Sequence, residues 1–423
     1  MPQPNIVTFD VAHTASAMLR NKSNSIPISI AFCLLSLSVA LNSWNRPVVD
    51  AFRFNDLFLI LAIGFVFAFG SMSRSLLLAY FGFFAILVLS LLLSMIRGDG
   101  GEISRFGFVY KYSLLFLVPI VLMAVLKSQF RLRIIERLVF YNLIVLAVWA
   151  YYYKFAIEGG SILGASRASF PGSIDFAASD AHLYSNVLSI LIIFYLFYLR
   201  LSFRHGFLHS LLIGALGMGA VILTGSRNGI VVFVLSLLVW FILAVATGNV
   251  RLKGIHLLYG FVLLVLIFFG FSFLQEWWID FFGEASERAL NFALRQDASS
   301  LSRLGTLLTA ISELETKSSL FGASIYGAKL PWYDSGIGII LAHTGIVGFV
   351  YILLLLSLFL LYIRRQFGFT VRESRISAML LIVYVVSNLI TEFSLVSRSA
   401  LLSVLCIMLP LISVSLRGRS LRS

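Results

Sequence analysis

A series of apolar windows, each about 20 residues long, runs through most of the chain and limits the folds open to it. Of the 423 residues 60% are hydrophobic and only 12% are charged, and the mean hydropathy is +0.97. Water-soluble globular proteins do not have such a composition. The sequence therefore predicts an all-α polytopic membrane protein with about twelve transmembrane helices. The windows begin near Ile26, Leu57, Leu76, Tyr112, Leu138, Leu183, Phe207, Gly229, Ile255, Ile337, Ile376 and Ala400.

Several other classes of protein find no support in the sequence. We find no internal repeat, which gives no reason to expect an inverted-repeat transporter. The two cysteines, Cys33 and Cys406, lie in apolar windows far apart in the chain. This spacing argues against a disulfide framework and against a thiolate metal site. Residues 1–25 are polar and lack the cleavage signature of a secretory signal, which predicts a cytoplasmic N-terminal tail.

Lysine and arginine concentrate in alternate loops, and this bias predicts which way the helices cross the membrane. Both termini and the basic loops are expected in the cytoplasm, and the net charge of +13 then requires no nucleic acid partner. Four arginines do not fit this orientation, because it places their loops on the outer side of the membrane: Arg46, Arg53, Arg97 and Arg105. The residues that set the orientation are Arg20, Lys22, Lys127, Arg131, Arg133, Arg137, Arg200, Arg204, Arg251, Lys253, Arg364, Arg365, Arg372, Arg375, Arg417, Arg419 and Arg422.

The residues from Gln275 to Gly336, which we call the lid segment, form a long polar interruption on the predicted outer side. A connection of this length between two spans indicates a functional role. Leucine and isoleucine recur at helical spacing from Leu304 to Leu314, which predicts an amphipathic helix that lies on the membrane, closes over a cavity, or packs on the spans. The predicted division is 1–25, cytoplasmic tail; 26–274, nine spans; 275–336, periplasmic lid; 337–416, three spans; 417–423, cytoplasmic tail.

Four arginines on the predicted outer side are not explained by topology: Arg167, Arg227, Arg303 and Arg398. Arg227 precedes the span that starts near Gly229, where the helix dipole disfavours a cation. The same helix start suits an oxyanion, and a guanidinium beside it would bind phosphate with two hydrogen bonds. The alternative is an arginine that extends to lipid headgroups. The favoured prediction is that Arg227 binds a phosphate group.

Two side chains on the outer side are candidates for proton transfer. Asp334 lies where the lid segment meets the tenth predicted span, and His343 lies deeper in that span. A histidine inside a span is a functional candidate, although a hydrogen bond to a neighbouring helix would equally explain it. No cluster at metal-ligand spacing and no nucleotide-binding glycine loop occurs in the sequence. Further titratable residues on this side are Asp180, His182 and Glu392.

Several short motifs, taken in order, resemble the O-antigen polymerase and O-antigen ligase superfamily. Thr224–Gly229 (TGSRNG) resembles the family's T-G-S-R-[GN]-[AG] at the start of a span. The other matches are Ser302-Arg303-Leu304, Leu320–Ser324 (LFGAS), Asp334-Ser335, Gly345–Gly348 (GIVG) and, loosely, Arg167 with the stretch up to Asn186. Ser324 replaces the family's second glycine. The resemblance covers the middle and C-terminal half, and the first ~150 residues match only in hydropathy.

The resemblance implies a GT-C-like membrane glycosyltransferase in the bacterial inner membrane that needs no cofactor and no metal. Its donor would be an undecaprenyl-pyrophosphate-linked oligosaccharide at the periplasmic face. Arg227 and Arg167, with Arg303 and Arg398, would bind the pyrophosphate in place of Mg²⁺. Asp334 would act as general base, with His343 as the alternative. Membrane lipids, a chain-length regulator and a flippase are further candidate partners.

Polymerase, ligase and transporter remain as three alternatives. Ligases of this superfamily typically have histidine where this chain has Asp334, which favours a polymerase of O-antigen or exopolysaccharide repeat units over a ligase to lipid A-core. A transporter or flippase of lipid-linked glycans should show broken helices and midplane charges in matching halves. Here the additional charges cluster at one predicted surface instead.

Overall fold

The computed structural model describes residues 26–43, 47–49, 52–70, 72–99, 107–157, 178–224, 226–248, 298–330, 335–390 and 400–420. These residues are almost entirely helical, because a backbone in lipid must satisfy its own hydrogen bonds. A short antiparallel hairpin pairs β1 (Pro47–Val49) with β2 (Phe52–Arg53) and is an addition to the predicted all-α class. The helices are α1 (Ile26–Ala40), α2 (Phe54–Phe69), α3 (Arg74–Ile96), α4 (Gly107–Val125), α5 (Gln129–Tyr152), α6 (Ala178–Phe194), α7 (Phe207–Leu223), α8 (Arg227–Ala246), α9 (Ala298–Thr316), α10 (Ser324–Gly327), α11 (Gly336–Phe367), α12 (Arg372–Ile390) and α13 (Ala400–Ser420).

The prediction of a helical membrane protein is confirmed. Within the described residues, six helical segments are long and apolar enough to cross a membrane. Shorter apolar helices occur at Phe54–Phe69, Tyr112–Val125, Phe207–Leu223 and Val231–Ala246. The count of twelve spans stays a prediction, and the window that begins near Ile255 lies outside the described residues. The six segments are Ile26–Ser43, Arg74–Ile96, Gln129–Ile157, Leu183–Ser202, Gly336–Phe367 and Ala400–Gly418.

Many of the predicted loop arginines lie in helical turns at the ends of the spans. The window predicted to begin near Leu138 is part of α5, which begins at Gln129 after Ser128, whose Oγ accepts from the Arg131 amide at 3.3 Å. The Arg131 guanidinium folds back onto the carbonyl of Val125 at 3.1 Å. A helix can continue past the apolar window because long basic side chains reach polar partners from helical positions.

α13 lies at the centre of the bundle, with 83% of its spanning window buried. It packs against α4, α5, α6 and α12, while α8 packs between α6 and α12. A serine hydrogen bond joins α12 to α13, since Ser377 Oγ donates to the carbonyl of Ile407 at 2.7 Å. Such a bond adds to van der Waals packing in holding two helices together, since the hydrophobic effect does not drive helix association in lipid.

Hydrogen bonds between helices show which helix ends lie together. One end of the bundle, which we call the basic end, contains the start of α5, the end of α6, the start of α12 and the end of α13. The contacts are Arg131 Nη2 to Ser29 Oγ at 3.0 Å, Tyr198 Oη to Glu136 Oε1 at 2.5 Å, and Arg417 Nη2 to Glu373 Oε1 at 2.5 Å. The opposite end of the bundle contains the last residues of α3 and α5 and the first residues of α8 and α11.

We predict that Gly229→Ala destabilises the bundle. A Cβ at this position would lie 1.9 Å from Ser185 Oγ on α6 and 2.8 Å from Val221 Cγ1 on α7. Separating the helices should cost about 1–3 kcal/mol, measured as a lower thermal unfolding midpoint in lipid nanodiscs. Gly64→Ala on α2 is the matched control, because its Cβ would meet nothing within 4 Å. Equal midpoints for the two variants would contradict the predicted close contact.

Candidate functional site

A break in α11 joins the lid segment to the bundle. Gly345 has φ 64° and ψ −165°, so the helix is interrupted and nearby backbone groups lose their helical partners. Residues 318–323, which we call the docking turn, supply new partners. Three backbone hydrogen bonds connect the docking turn to α11: Ala323 N to Ala342 O at 2.8 Å, Ile346 N to Ser319 O at 3.2 Å, and Val347 N to Leu320 O at 3.1 Å.

Two glycines allow this close contact between backbones. Gly322, in the docking turn, has φ +68°, and a Cβ there would lie 2.5 Å from the carbonyl oxygen of Leu341. A Cβ at Gly345 would lie 2.2 Å from the carbonyl oxygen of Leu320. Both obstacles are backbone atoms, which cannot move aside as a flexible side chain can. The structure thus brings together LFGAS and GIVG, two motifs that are separate in the sequence.

A polar cluster at the end of α3 holds the docking turn from the other side. Arg97 donates from Nη1 to the Lys317 carbonyl at 3.3 Å and from Nη2 to the Gly322 carbonyl at 3.2 Å. Asp99 pairs with Arg97 Nε and with Lys317 Nζ, each at 3.1 Å. These contacts account for Arg97 in a loop where the topology predicted no positive charge.

The Asp99 carboxylate is ionised despite its position against the protein. Burial opposes ionisation, but hydrogen bonds from Lys317 and Arg97, together with the charge of Lys317 and the Ser94 hydroxyl, lower the pKa of Asp99 below its usual 3.8. A carboxylate with a lowered pKa stabilises the folded state at neutral pH and loses that contribution only as the pH falls through the lowered value. The cluster is therefore charged and intact at neutral pH.

The described part of the lid segment packs with one face on α11. On α9, Ala310, Glu313 and Leu314 are buried, whereas the apolar residues Leu308 and Ile311 are exposed. The Glu313 carboxylate accepts from the Lys329 amide at 2.7 Å, which ties α9 to the chain after α10. The predicted amphipathic helix is present, and its apolar stripe is wider than the face that α11 covers.

His343 lies two positions before the break and is 2% exposed. Its Nδ1 is 3.2 Å from the hydroxyl of Tyr112 on α4, and the two rings meet edge to face. The Oγ of Ser90 lies within hydrogen-bond distance of the His343 carbonyl, at 2.9 Å, and of the Phe321 carbonyl, at 2.7 Å. This is the helix-to-helix hydrogen bond that the sequence left open as an alternative, and it leaves His343 little access to a substrate.

A second polar region lies at the same end, where α8 begins. α7 ends at Leu223 and α8 begins at Arg227, so Arg227 is in the first turn, as predicted. The intervening turn is buried: Thr224 Oγ1 donates to the Val221 carbonyl at 2.6 Å and accepts from the Ser226 amide at 3.2 Å. The side chain of Arg227 lies outside the described part of the structure.

A buried lysine, Lys154, lies near this level of the bundle. It lies in the π-helical residues Tyr153–Ile157 that continue α5, and it is 2% exposed. Tyr151, one turn earlier, donates to the Leu216 carbonyl of α7 at 3.1 Å. Since Gly229 of α8 also contacts α7, the helical rise places Lys154 and Arg227 within about two turns of each other in height.

Asn186 of α6 is a buried amide that the described residues leave unpaired. Its side chain is 2% exposed, and neither its nitrogen nor its oxygen has a hydrogen-bond partner in the described part of the chain. The preceding residue, Ser185, approaches the Ser226 carbonyl at 3.4 Å. Buried amides of folded proteins are nearly always paired, so an unpaired one beside the start of α8 indicates a place for a ligand group.

The other predicted site residues lie wholly or in their side chains outside the described part of the structure. Asp334, Arg167, Arg398 and Glu392 lie outside the described residues. Arg303 lies on α9, and Asp180 and His182 lie on α6, with side chains that are likewise outside the described part. Sequence reasoning missed Lys154, although a lysine near the end of an apolar window is itself a signal of function.

We predict that Gly345→Ala loosens the docking turn. The substitution places a Cβ against the Leu320 carbonyl at a φ that alanine rarely adopts, which costs about 1–3 kcal/mol. Hydrogen–deuterium exchange should become faster in peptides that contain residues 318–326 and 345–348. Gly305→Ala on α9, where a Cβ meets nothing within 4 Å, should leave both peptides unchanged. Unchanged exchange in Gly345→Ala would show that the break does not depend on glycine.

Comparison with other proteins leaves the function to be argued from this chain alone. Neither a scan against models of known protein families nor a search of curated proteins finds a match. Among the described residues, no group of three histidine, cysteine, aspartate or glutamate side chains could hold a metal ion.

Proposed function

We propose that the protein is a polysaccharide polymerase, an inverting glycosyltransferase that joins undecaprenyl-pyrophosphate-linked repeat units of O-antigen or exopolysaccharide. The reaction would take place at the periplasmic face of the bacterial inner membrane, with both termini of the chain in the cytoplasm. The resemblance to the superfamily suggests this activity, and the residues at the start of α8 support it on physical grounds.

The observation that carries the proposal is the set of polar groups at the level where α8 begins. Lys154 is a buried lysine at the end of α5, Asn186 is a buried amide that finds no hydrogen-bond partner among the described residues, and Arg227 occupies the first turn of α8. The free amides of a helix N-terminus favour an anion. An arginine in this first turn and a lysine at about the same height favour an anion with more than a single negative charge, such as a diphosphate.

The reaction needs charge stabilisation at the leaving group and a base at the acceptor. The acceptor hydroxyl loses its proton to a carboxylate as its oxygen forms a bond to the anomeric carbon, and the bond from that carbon to the phosphate oxygen breaks. The pyrophosphate leaves with an additional negative charge, which Arg227 and Lys154 would stabilise. Asp334 is the proposed base, and Arg167, Arg303 and Arg398 are proposed further contacts to the diphosphate.

The lid segment would cover this reaction. The docking turn ties it to α11 and to the end of α3, and α9 presents Leu308 and Ile311 on its exposed face. Exposed apolar side chains at this level suit the isoprenoid chain of a lipid carrier or the bilayer itself. The lid would exclude water, which otherwise competes with the acceptor hydroxyl for the donor sugar.

We predict that Arg227→Lys and Arg227→Ala both abolish polymer formation, because lysine cannot make the two parallel hydrogen bonds of a guanidinium. The assay uses purified protein in lipid with an undecaprenyl-pyrophosphate repeat unit, and wild type should give a ladder of products. Arg133→Lys, an exposed residue at the basic end, is the control and should keep the ladder. Normal polymer lengths in both Arg227 variants would exclude Arg227 from the mechanism.

The same wild-type assay separates the alternative functions. Transfer of one glycan to lipid A-core, without a ladder, would identify a ligase. Movement of the lipid-linked glycan across the bilayer without new glycosidic bonds would identify a transporter. Either result would replace the proposed polymerase activity.

We predict different effects for the two candidate bases. Asp334→Asn should abolish polymer formation with little change in thermal stability, because it removes only the proton acceptor. His343→Gln should chiefly lower the unfolding midpoint, since it disturbs a buried hydrogen bond to Tyr112. Both quantities are measured on the same nanodisc preparations. The reverse pattern, with inactive His343→Gln and active Asp334→Asn, would make His343 the base.

A further inference from the structure

Four arginines from three helical segments converge at the basic end of the bundle. Arg200 lies at the end of the segment that continues α6, Arg372 and Arg375 lie in the first turn of α12, and Arg417 lies near the end of α13. The Glu373 carboxylate stabilises the charge of the Arg372 guanidinium, while the positive charges of Arg375, Arg200 and Arg417 oppose it. The four side chains therefore form one electrostatic cluster, which we call the arginine cluster.

Carboxylates compensate only part of this charge. Among the described residues Glu373 pairs with Arg417 at 2.5 Å. Glu136, which accepts from the hydroxyls of Tyr198 at 2.5 Å and Ser202 at 2.8 Å, also interacts electrostatically with Arg417. Two carboxylates among the described residues therefore face four arginines. Like charges held together in a partly desolvated place raise the free energy of the protein unless an anion binds between them.

Two guanidinium groups in the cluster carry N–H donors that reach no acceptor among the described residues. The Nε atoms of Arg200 and Arg375 are buried and have no hydrogen-bond partner in the described part of the chain. Arg375 is 7% exposed, and its Cζ lies 5.0 Å from the centre of the Trp240 ring. Its Nη1 reaches Thr247 Oγ1 at 3.5 Å. A buried charged donor without an acceptor is costly, which indicates that an acceptor is missing.

The position of the cluster on α12 adds to this requirement. Arg372 is the first residue of the helix and Arg375 follows in the same turn, where the helix dipole disfavours cations. Arg372 Nη2 donates to the carbonyl of Phe197, which holds the guanidinium over the end of α6. An anion bound there would meet the guanidinium groups of Arg372 and Arg375 together.

The surroundings indicate an anion that carries acyl chains. The cluster lies at a membrane-facing end of the bundle, and Leu238, Phe241 and Ile242 on the neighbouring α8 are exposed apolar side chains. An ion from solution would gain nothing from that surface, whereas a phospholipid would place its phosphate among the arginines and its chains along α8. We propose that the arginine cluster binds the phosphate of an anionic phospholipid, in the leaflet at the basic end.

This site is separate from the proposed glycosyl transfer, which takes place at the opposite end of the bundle. The test uses full-length protein stripped of lipid in detergent and titrated with phosphatidylglycerol or phosphatidylcholine. Bound lipids are counted by native mass spectrometry, and the unfolding midpoint is recorded in parallel. Wild type should bind phosphatidylglycerol about tenfold or more tightly than phosphatidylcholine.

Two pairs of substitutions locate the lipid. The double variant Arg372→Gln/Arg375→Gln should lose the preference for phosphatidylglycerol. The control is the double variant Arg364→Gln/Arg365→Gln, which changes two exposed arginines near the end of α11 and should retain the preference. Both pairs remove the same charge at the same end of the protein. Equal loss in the two pairs would contradict a specific site. If the first pair does not fold, Arg200→Gln alone should reduce the preference, and an unchanged preference would count against the site.

A measurement on the wild-type protein distinguishes binding of a phospholipid from binding of free phosphate. Inorganic phosphate, added at millimolar concentration without lipid, should raise the midpoint less than phosphatidylglycerol does. If inorganic phosphate raises it equally, the site binds free phosphate and the lipid assignment is overturned. If the two lipids bind equally well, the proposal is likewise overturned.

Discussion

The requirement that backbone hydrogen bonds be satisfied without water governs this structure, and the break in α11 is where it has the largest consequence. A helix interrupted at Gly345 leaves carbonyl and amide groups without helical partners, and inside a membrane such groups are costly. The docking turn satisfies them with its own backbone. Because those bonds come from the segment between α9 and α11, the fold of the bundle and the attachment of the lid segment depend on each other.

Charge divides the two ends of the bundle into regions with different chemistry. At the basic end, arginines outnumber carboxylates among the described residues and gather around the start of α12. At the opposite end Arg97 and Lys317 form ion pairs or hydrogen bonds with Asp99, and Lys154 is buried at the end of α5. Each end thus favours an anion, a lipid headgroup at one and, as we propose, a lipid-linked diphosphate at the other.

The sequence predicts the helices well because spanning windows are local and self-sufficient. It also places Arg227 in the first turn of α8, since the polar TGSR turn between two apolar runs leaves few other arrangements. It could not show that Gly322 and Gly345 meet, because a contact between distant backbones leaves no periodic signal. The partners of Arg97 were hidden for the same reason, and Asn186 looks like any polar residue near a helix end until its burial is known.

The most direct test of the account is a cryo-EM map of the protein in nanodiscs with undecaprenyl pyrophosphate bound. We expect the diphosphate at the end where α8 begins, within hydrogen-bond distance of Arg227 and Lys154 and beneath the lid segment. A diphosphate bound at the basic end, or a map in which Arg227 and Lys154 face different cavities, would contradict the account.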